Sequence, residues 1–373
     1  MTSPPRPTLA PRLDQRALNR ALLDRQLLLR RRRSSASATI ERLVGMQAQS
    51  PNAPYLGLWS RLVDFRTEAL VRLLTGRRVV RTVLMRSTVH LVTADDCLKL
   101  RPLVRPALER DLYGNRKPTR DLDRDEVIAA IQEVLADGPL TRPEIEAVLG
   151  PRFAGHDPEQ VSYAARCLAT LIQVPPRGIW GRGGAVRYAT AESWLGRPLD
   201  PEPSIDDVVV RYLAAFGPAS TMDVQMWIGL TKLQEVLDRL RPRLRTFRHP
   251  SGRELFDLPR APRPDPETPA PPRFLPEFDN LLLSHADRSH VIDLEHKQIY
   301  ATSNGLKPTL LVDGFVAATW KIETQRSRST LTIQPVAKIT RSNRSTIATE
   351  GEALVPFMVD DATDVDIRFL APR

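Results

Sequence analysis

The chain reads most clearly between residues 121 and 195. Residues 123–138 place Val127, Ile131, Val134 and Leu135 at helical spacing and stop at Gly138, which predicts an amphipathic helix. Residues 140–150 predict a second helix, with Thr141 as N-cap, Glu144 three residues on and Gly150 at the end. A third covers 158–173, and residues 179–190 read as a strand pair turning at Gly183–Gly184. Three helices and a two-stranded wing make a winged helix. The pattern returns over 204–258, where the closing strands of 244–258 turn at Pro250–Gly252. A looser version occupies the first 115 residues, with helices over 13–28, 37–47 and 67–76. Its strand pair lies in 79–93 and turns at Arg86–Ser87.

Beyond a proline-rich stretch the pattern changes. Residues 309–323 and 329–338 alternate and are β-branched, with Asp313–Gly314 as a hairpin turn. The last twenty-four residues carry six acidic against two basic side chains and read as a solvated edge. The expected fold is α+β: three tandem winged-helix domains (1–118, 119–200, 201–262), a linker (263–274) and a small C-terminal β-barrel or curled sheet (275–373).

Composition narrows the class. With 42% hydrophobic and 26% charged residues among 373, the chain has room for several folded units. No apolar stretch is long enough for a membrane span, and the first residues lack the apolar segment of a secretory signal. Cys97 and Cys167 are too few and too far apart for a disulfide scaffold, so a cytoplasmic, nucleoid-associated protein is expected. Net charge is +10, and its distribution is uneven. Residues 1–120 hold 24 Lys and Arg against 9 Asp and Glu; the remainder hold 30 against 35. Nucleic-acid phosphate is the natural partner of a positive field concentrated at one end. A soluble basic face without a partner is the alternative.

Motifs for nucleotide, zinc-protease or serine-hydrolase chemistry are missing. His285, His290 and His296 form the one histidine cluster. Their spacing suits neither a helical face nor a zinc site, so no metal and no organic cofactor are expected. Gln47 and Gln49 stand out because they flank a small residue where an apolar helix runs into Pro51 and Pro54. Within a helix, residues two apart point about 200° from one another, so the two amides share a pocket only if the backbone loosens. Pro51 disfavours helix at Ser50 and favours that loosening. Two polar residues capping a helix end, or meeting water, would read the same way. Arg86 and Ser87 sit at a strand turn where a duplex would be met. His90 alternates with Thr88 onto the face of Arg86, or else packs against the next domain.

Four segments resemble the AlkZ- and YcaQ-like winged-helix DNA glycosylases nearly end to end. They are Leu43–Gln49, Arg86–Val92, Leu275–Arg288 and Thr309–Trp320. The resemblance implies a basic channel lined by three winged helices and a barrel. It implies a Gln–x–Gln catalytic pair at Gln47 and Gln49, and a monomer acting on double-stranded DNA that carries alkylated purines, some of them crosslinked. In the AlkZ-like branch it also implies self-resistance to DNA-alkylating natural products. Ser284, His285 and Arg288 match the segment after the linker and are expected to line the channel with Arg86, Ser87 and His90. Anchoring the C-terminal unit is the alternative for Ser284, His285 and Arg288. A glutamine does not take a proton near neutral pH, so two carboxamides suit a leaving base that is already cationic, such as N7-alkylguanine. A non-catalytic winged-helix DNA-binding protein or transcription regulator is the competing expectation. Its weakness is that the candidate recognition helices present few base-reading side chains.

Overall fold

The computed structural model describes residues 10–115, 119–293, 295, 301–302, 305–326, 328–360, 362 and 364–372. The chain begins with α1 (Gln15–Arg25), α2 (Ala36–Arg42), β1 (Met46–Gln47), α3 (Ala53–Trp59) and α4 (Thr67–Thr75). It continues through β2 (Val79–Val83), β3 (Val89–Thr93) and the 22-residue α5 (Ala94–Asn115). Next come α6 (Arg124–Val134), β4 (Leu140–Thr141), α7 (Arg142–Arg152), α8 (Pro158–Leu168), β5 (Leu171–Val174), β6 (Arg187–Thr190) and α9 (Ala191–Leu195). Helix α7 starts with the expected capping box, in which Thr141 and Glu144 bond each other's backbone N–H. The third stretch holds α10 (Ile205–Phe216), α11 (Thr221–Ile228), α12 (Leu233–Leu240), β7 (Arg245–Arg248) and β8 (Glu254–Asp257).

Strands from the first two stretches merge into one antiparallel sheet, β1-β3-β2-β5-β6-β4. The join is β2 on β5, with Arg81 opposite Gln173 and Thr82 opposite Ile172. The second strand pair differs from the sequence expectation. Its first strand is Leu171–Val174, at the end of the segment read as helix, and it reaches β6 through a long loop instead of a Gly183–Gly184 turn. Tertiary pairing with β2 overrides the helical spacing there. A continuous apolar core runs from Leu22 on α1 through the second and third stretches to Leu311.

The segment after the linker forms β9 (Arg273–Leu275), β10 (Ala301–Thr302), β11 (Gly305–Leu306), β12 (Thr309–Val312), β13 (Phe315–Gln325) and β14 (Arg328–Pro335). They are followed by α13 (Arg341–Met358) and β15 (Asp364–Phe369). The Asp313–Gly314 turn joins β12 and β13 as expected. The expected β-barrel is corrected: among the described residues the sheet is open, in the order β15-β14-β13-β12-β9. Its apolar face is covered by α13 instead of being closed on itself, through Ile347, Leu354 and Val355 against Phe274, Leu331 and Ile333. Gly351 permits the approach, since a Cβ there would lie 2.7 Å from Leu331. The solvated edge expected at 350–373 therefore contains the end of α13 and β15, which pairs parallel with β14.

Buried arginine pairs fasten the N-terminal helices to later segments. Arg25 grips Asp257 at 2.7 and 2.9 Å, and Arg61 grips Asp279 at 2.9 and 2.8 Å. Arg31 pairs likewise with Glu350 and lies over Trp59, and Arg32 meets Asp24.

Candidate functional site

The Gln47–Gln49 segment is a strand and a bend, not a helix end. Ser35 caps α2, which stops at Arg42. Val44 and Gly45 then reverse the chain with φ of 53° and 90°. At Gly45 a Cβ would fall 2.6 Å from Val92 Cγ1, so both conformation and space require glycine. Strand β1 pairs with β3, placing Gln47 opposite His90, and the Ala48 N–H extends the pairing to the Val89 carbonyl at 2.7 Å. Side chains alternate along an extended backbone. Met46 and Ala48 enter the core beside Ile40, Tyr55 and Leu58, while Gln47 projects the other way. The opposed directions of a helix are thereby removed.

Both carboxamide oxygens are held by one hairpin. The Arg86 guanidinium donates to Gln47 Oε1 at 2.9 Å, and the Val89 N–H donates to Gln49 Oε1 at 2.9 Å. These donors cannot accept, so the oxygens are assigned by chemistry. Gln47 is buried, with 6% exposure, and Gln49 is exposed. The turn between β2 and β3 has two consecutive left-handed residues, Arg86 (φ 57°) and Ser87 (φ 56°). Such a conformation costs roughly 1–2 kcal/mol per residue. Ser87 is half-buried, and a cavity of about 410 Å³ opens beside it, with Arg110 and Gly229 on its wall.

Arg86 links the turn to the third stretch by donating to the Trp227 carbonyl at 2.9 Å. It also reaches His90 Nε2 at 3.4 Å. His90 Nδ1 lies 2.9 Å from the Thr88 carbonyl, which only accepts, so Nδ1 carries the proton and Nε2 is bare. Burial, followed by the neighbouring Arg86 charge, pushes the His90 pKa down to about 3. Burial, followed by the nearby Arg288 charge, brings Arg86 down to about 10. Arg288 is half-buried and is itself lowered by burial; its Nε donates to the His285 carbonyl at 3.3 Å.

The structure therefore gathers Gln47 and Gln49 against the strand pair and turn that carry Arg86, Ser87 and His90, with Arg288 near enough for its charge to act on Arg86. It does not bring Ser284 and His285 to the surface. Ser284 is fully buried and His285 is 4% exposed; Ser284 Oγ lies 2.9 Å from His285 Nδ1, and the Tyr212 hydroxyl donates to the Ser284 carbonyl. Asp223, on α11, accepts from the Ala286 N–H at 2.9 Å. These contacts hold the Arg288 segment against α10 and α11, matching the anchoring alternative. His290 stacks edge-on against His285, and His296 lies outside the described residues. Among the described residues, no group of three or more His, Cys, Asp or Glu is placed to hold a metal. No helix of the described residues is long and apolar enough to cross a membrane.

Sequence reasoning singled out neither Asn280 nor Arg81, yet both touch the Gln47 strand. Asn280 Oδ1 accepts the Gln47 N–H at 3.2 Å, and Arg81 donates to the Ala48 carbonyl at 2.8 Å. The available signal for Asn280 was its place in the Leu275–Arg288 segment. Arg81 sits in a β-branched run with nothing local to mark it.

Comparison with known proteins places the chain in a class. The family model "DNA glycosylase AlkZ-like" matches residues 40–357, and the chain belongs to that family. Among individual proteins, the interstrand DNA cross-link repair glycosylase of Streptomyces sahachiroi is 24% identical over 329 residues, covering 81% of this chain and 86% of the relative. The solved structure of Streptomyces sahachiroi DNA glycosylase AlkZ superposes with a TM-score of 0.79 at 21% identity, over 96% of this chain and all of that one.

Proposed function

We propose that this protein is a monofunctional DNA glycosylase that hydrolyses the N-glycosidic bond of alkylated, cationic purines in duplex DNA. Gln47 and Gln49 form its catalytic pair. The observation that carries the reading is the fixing of both carboxamide oxygens by the 86–89 hairpin, within a set of groups that hold their protonation states near neutral pH. His90 is neutral and Arg86 is charged across that range. The set suits orientation of water, not proton transfer.

A carboxamide oxygen accepts two hydrogen bonds. Arg86 fills one position on Gln47 and Val89 one on Gln49, leaving one on each for the protons of a water aimed at C1′. The C1′–O bond forms as the C1′–N9 bond breaks. The bonding pair moves onto the purine and cancels the charge of N7-alkylguanine, and the water's proton passes to solvent. No acid is needed for departure. Positioning supplies several kcal/mol, below the ~7–11 of ideal intramolecular reactions. The carbonyl dipoles also face the positive charge that develops on the sugar.

Arg86, Ser87 and Arg288 meet the phosphates flanking the lesion, which offset the positive field of the two guanidiniums. His90 holds Arg86, and Ser284 and His285 brace the Arg288 segment from behind. In this reading the three helix-and-hairpin stretches (1–118, 119–200 and 201–262) act as winged helices of a monomer on DNA. The substrate class in this reading extends to interstrand DNA crosslinks, the repair of which is named for the Streptomyces relative. The burial of Gln47 favours a second reading, in which the pair is structural and the protein a non-catalytic duplex binder.

Incubation with duplexes carrying N7-methylguanine or uracil separates the two. The glycosylase reading expects release of 7-methylguanine and retention of uracil. Equal release of both bases, or release of neither, overturns it.

A further inference from the structure

We infer that Asn280 is a positioning residue for the reaction: its side chain takes the place of a neighbouring strand beside β1 and sets where Gln47 stands. The inference rests on the reading of Gln47 and Gln49 as the catalytic pair.

Strand β1 is two residues long and lies at the edge of its sheet, bonded on one side to β3. A strand so short and paired on one side has little to fix it. On its open side the Gln47 N–H and the Gly45 carbonyl need partners, because both are buried. One carboxamide supplies both: Asn280 Oδ1 accepts from the Gln47 N–H at 3.2 Å, and Asn280 Nδ2 donates to the Gly45 carbonyl at 2.6 Å. A residue of a parallel strand bonds its partner strand in this way, to the C=O of one residue and the N–H two residues later. The amide orientation is fixed, since a backbone N–H only donates and a carbonyl only accepts.

The clamp is rigid from behind. Asp279, the preceding residue, is gripped by the buried Arg61 at 2.9 and 2.8 Å and caps the Leu281 N–H at 2.9 Å. Arg61 in turn bonds the Gly57 carbonyl and Gln26. Gly57 lets α3 approach the strand, since a Cβ there would fall 2.5 Å from Met46 Cε. Arg81 completes the fixing by holding the Ala48 carbonyl while also reaching Gln173 on β5. The Gln–x–Gln strand is thus suspended between parts of the chain distant in sequence.

The test uses the full-length protein. Asn280→Ala, Asn280→Asp and Gln47→Ala are compared with wild type for single-turnover release of 7-methylguanine, duplex Kd and hydrogen exchange of the 43–50 peptide. Asn280→Asp keeps the acceptor for Gln47 but lacks the donor for Gly45, and it serves where Asn280→Ala does not fold. For Asn280→Ala the expected result is a rate constant lowered by roughly ten- to a hundredfold, as sub-ångström misplacement allows. Kd stays within about twofold of wild type, and exchange is faster in that peptide alone. Asn280→Asp should lose at least threefold in rate with the same Kd. Wild-type rates in both Asn280 variants, or a loss that appears in Kd and not in rate, would overturn the inference. If Gln47→Ala loses activity while the Asn280 variants do not, only this inference falls. If Gln47→Ala keeps the wild-type rate, the catalytic reading falls and takes the inference with it.

Discussion

Protonation of His90 should be costly enough to measure in the stability of the whole protein. The imidazole is 2% exposed, donates from Nδ1 to the Thr88 carbonyl and turns Nε2 toward the Arg86 guanidinium. Its folded pKa of about 3 lies below the ordinary value of 6.5. The unfolded chain therefore takes up a proton near pH 6.5 that the folded chain refuses until far lower, and stability falls as pH drops through that window. Integrating the linkage between pH 7.5 and 5.0 gives about 2 kcal/mol lost from this group. His290, also near 3, adds a similar loss. Urea unfolding of wild type and His90→Gln across pH 5.0–7.5 isolates the His90 share. Glutamine keeps an acceptor for Arg86 but does not titrate, so the variant should lose about 2 kcal/mol less on acidification. Parallel stability curves would mean that His90 titrates normally in the folded protein, and the lowered pKa would be wrong.

The Arg61–Asp279 pair should be worth most when only one side is removed. Arg61→Met leaves a buried carboxylate without its partner and should cost about 3–5 kcal/mol in urea unfolding, whereas Arg61→Met with Asp279→Leu should recover most of it. A single-variant loss under about 1 kcal/mol contradicts the pairing as described. Arg288→Ala should reduce the slope of log Kobs against log salt for duplex binding by about 0.9, the share of one phosphate contact. An unchanged slope would remove Arg288 from the DNA interface.

What the sequence disclosed was local. The Thr141–Glu144 capping box, the Asp313–Gly314 turn and the reversal at Arg86–Ser87 depend on residues a few positions apart, and all three appear in the structure. The errors came where distant contacts decide. Residues 171–173 continue a helical spacing but fall in a strand, where β2 offers Ile172 and Gln173 partners. Residues 46–47 look like a helix end but are drawn out by β3 and Asn280, 233 residues away. Helix α13 is not legible in the sequence because Ile347, Gly351, Leu354 and Val355 make a sparse apolar stripe with polar and acidic neighbours. Without that helix, the alternating strands leave a barrel or a curled sheet as the ways to bury the sheet face. The two glutamines were legible as unusual residues, but their shared anchorage on one hairpin needed the strand pairing to be seen.

The central claim is that Gln47 and Gln49 orient the water that attacks C1′. Single-turnover release of 7-methylguanine from a duplex, by wild type, Gln47→Ala and Gln49→Ala, addresses it directly. With duplex Kd held within about twofold, each substitution should lower the rate by roughly a hundredfold or more, as loss of a preorganised polar contact does. Wild-type rates in both variants would contradict the account.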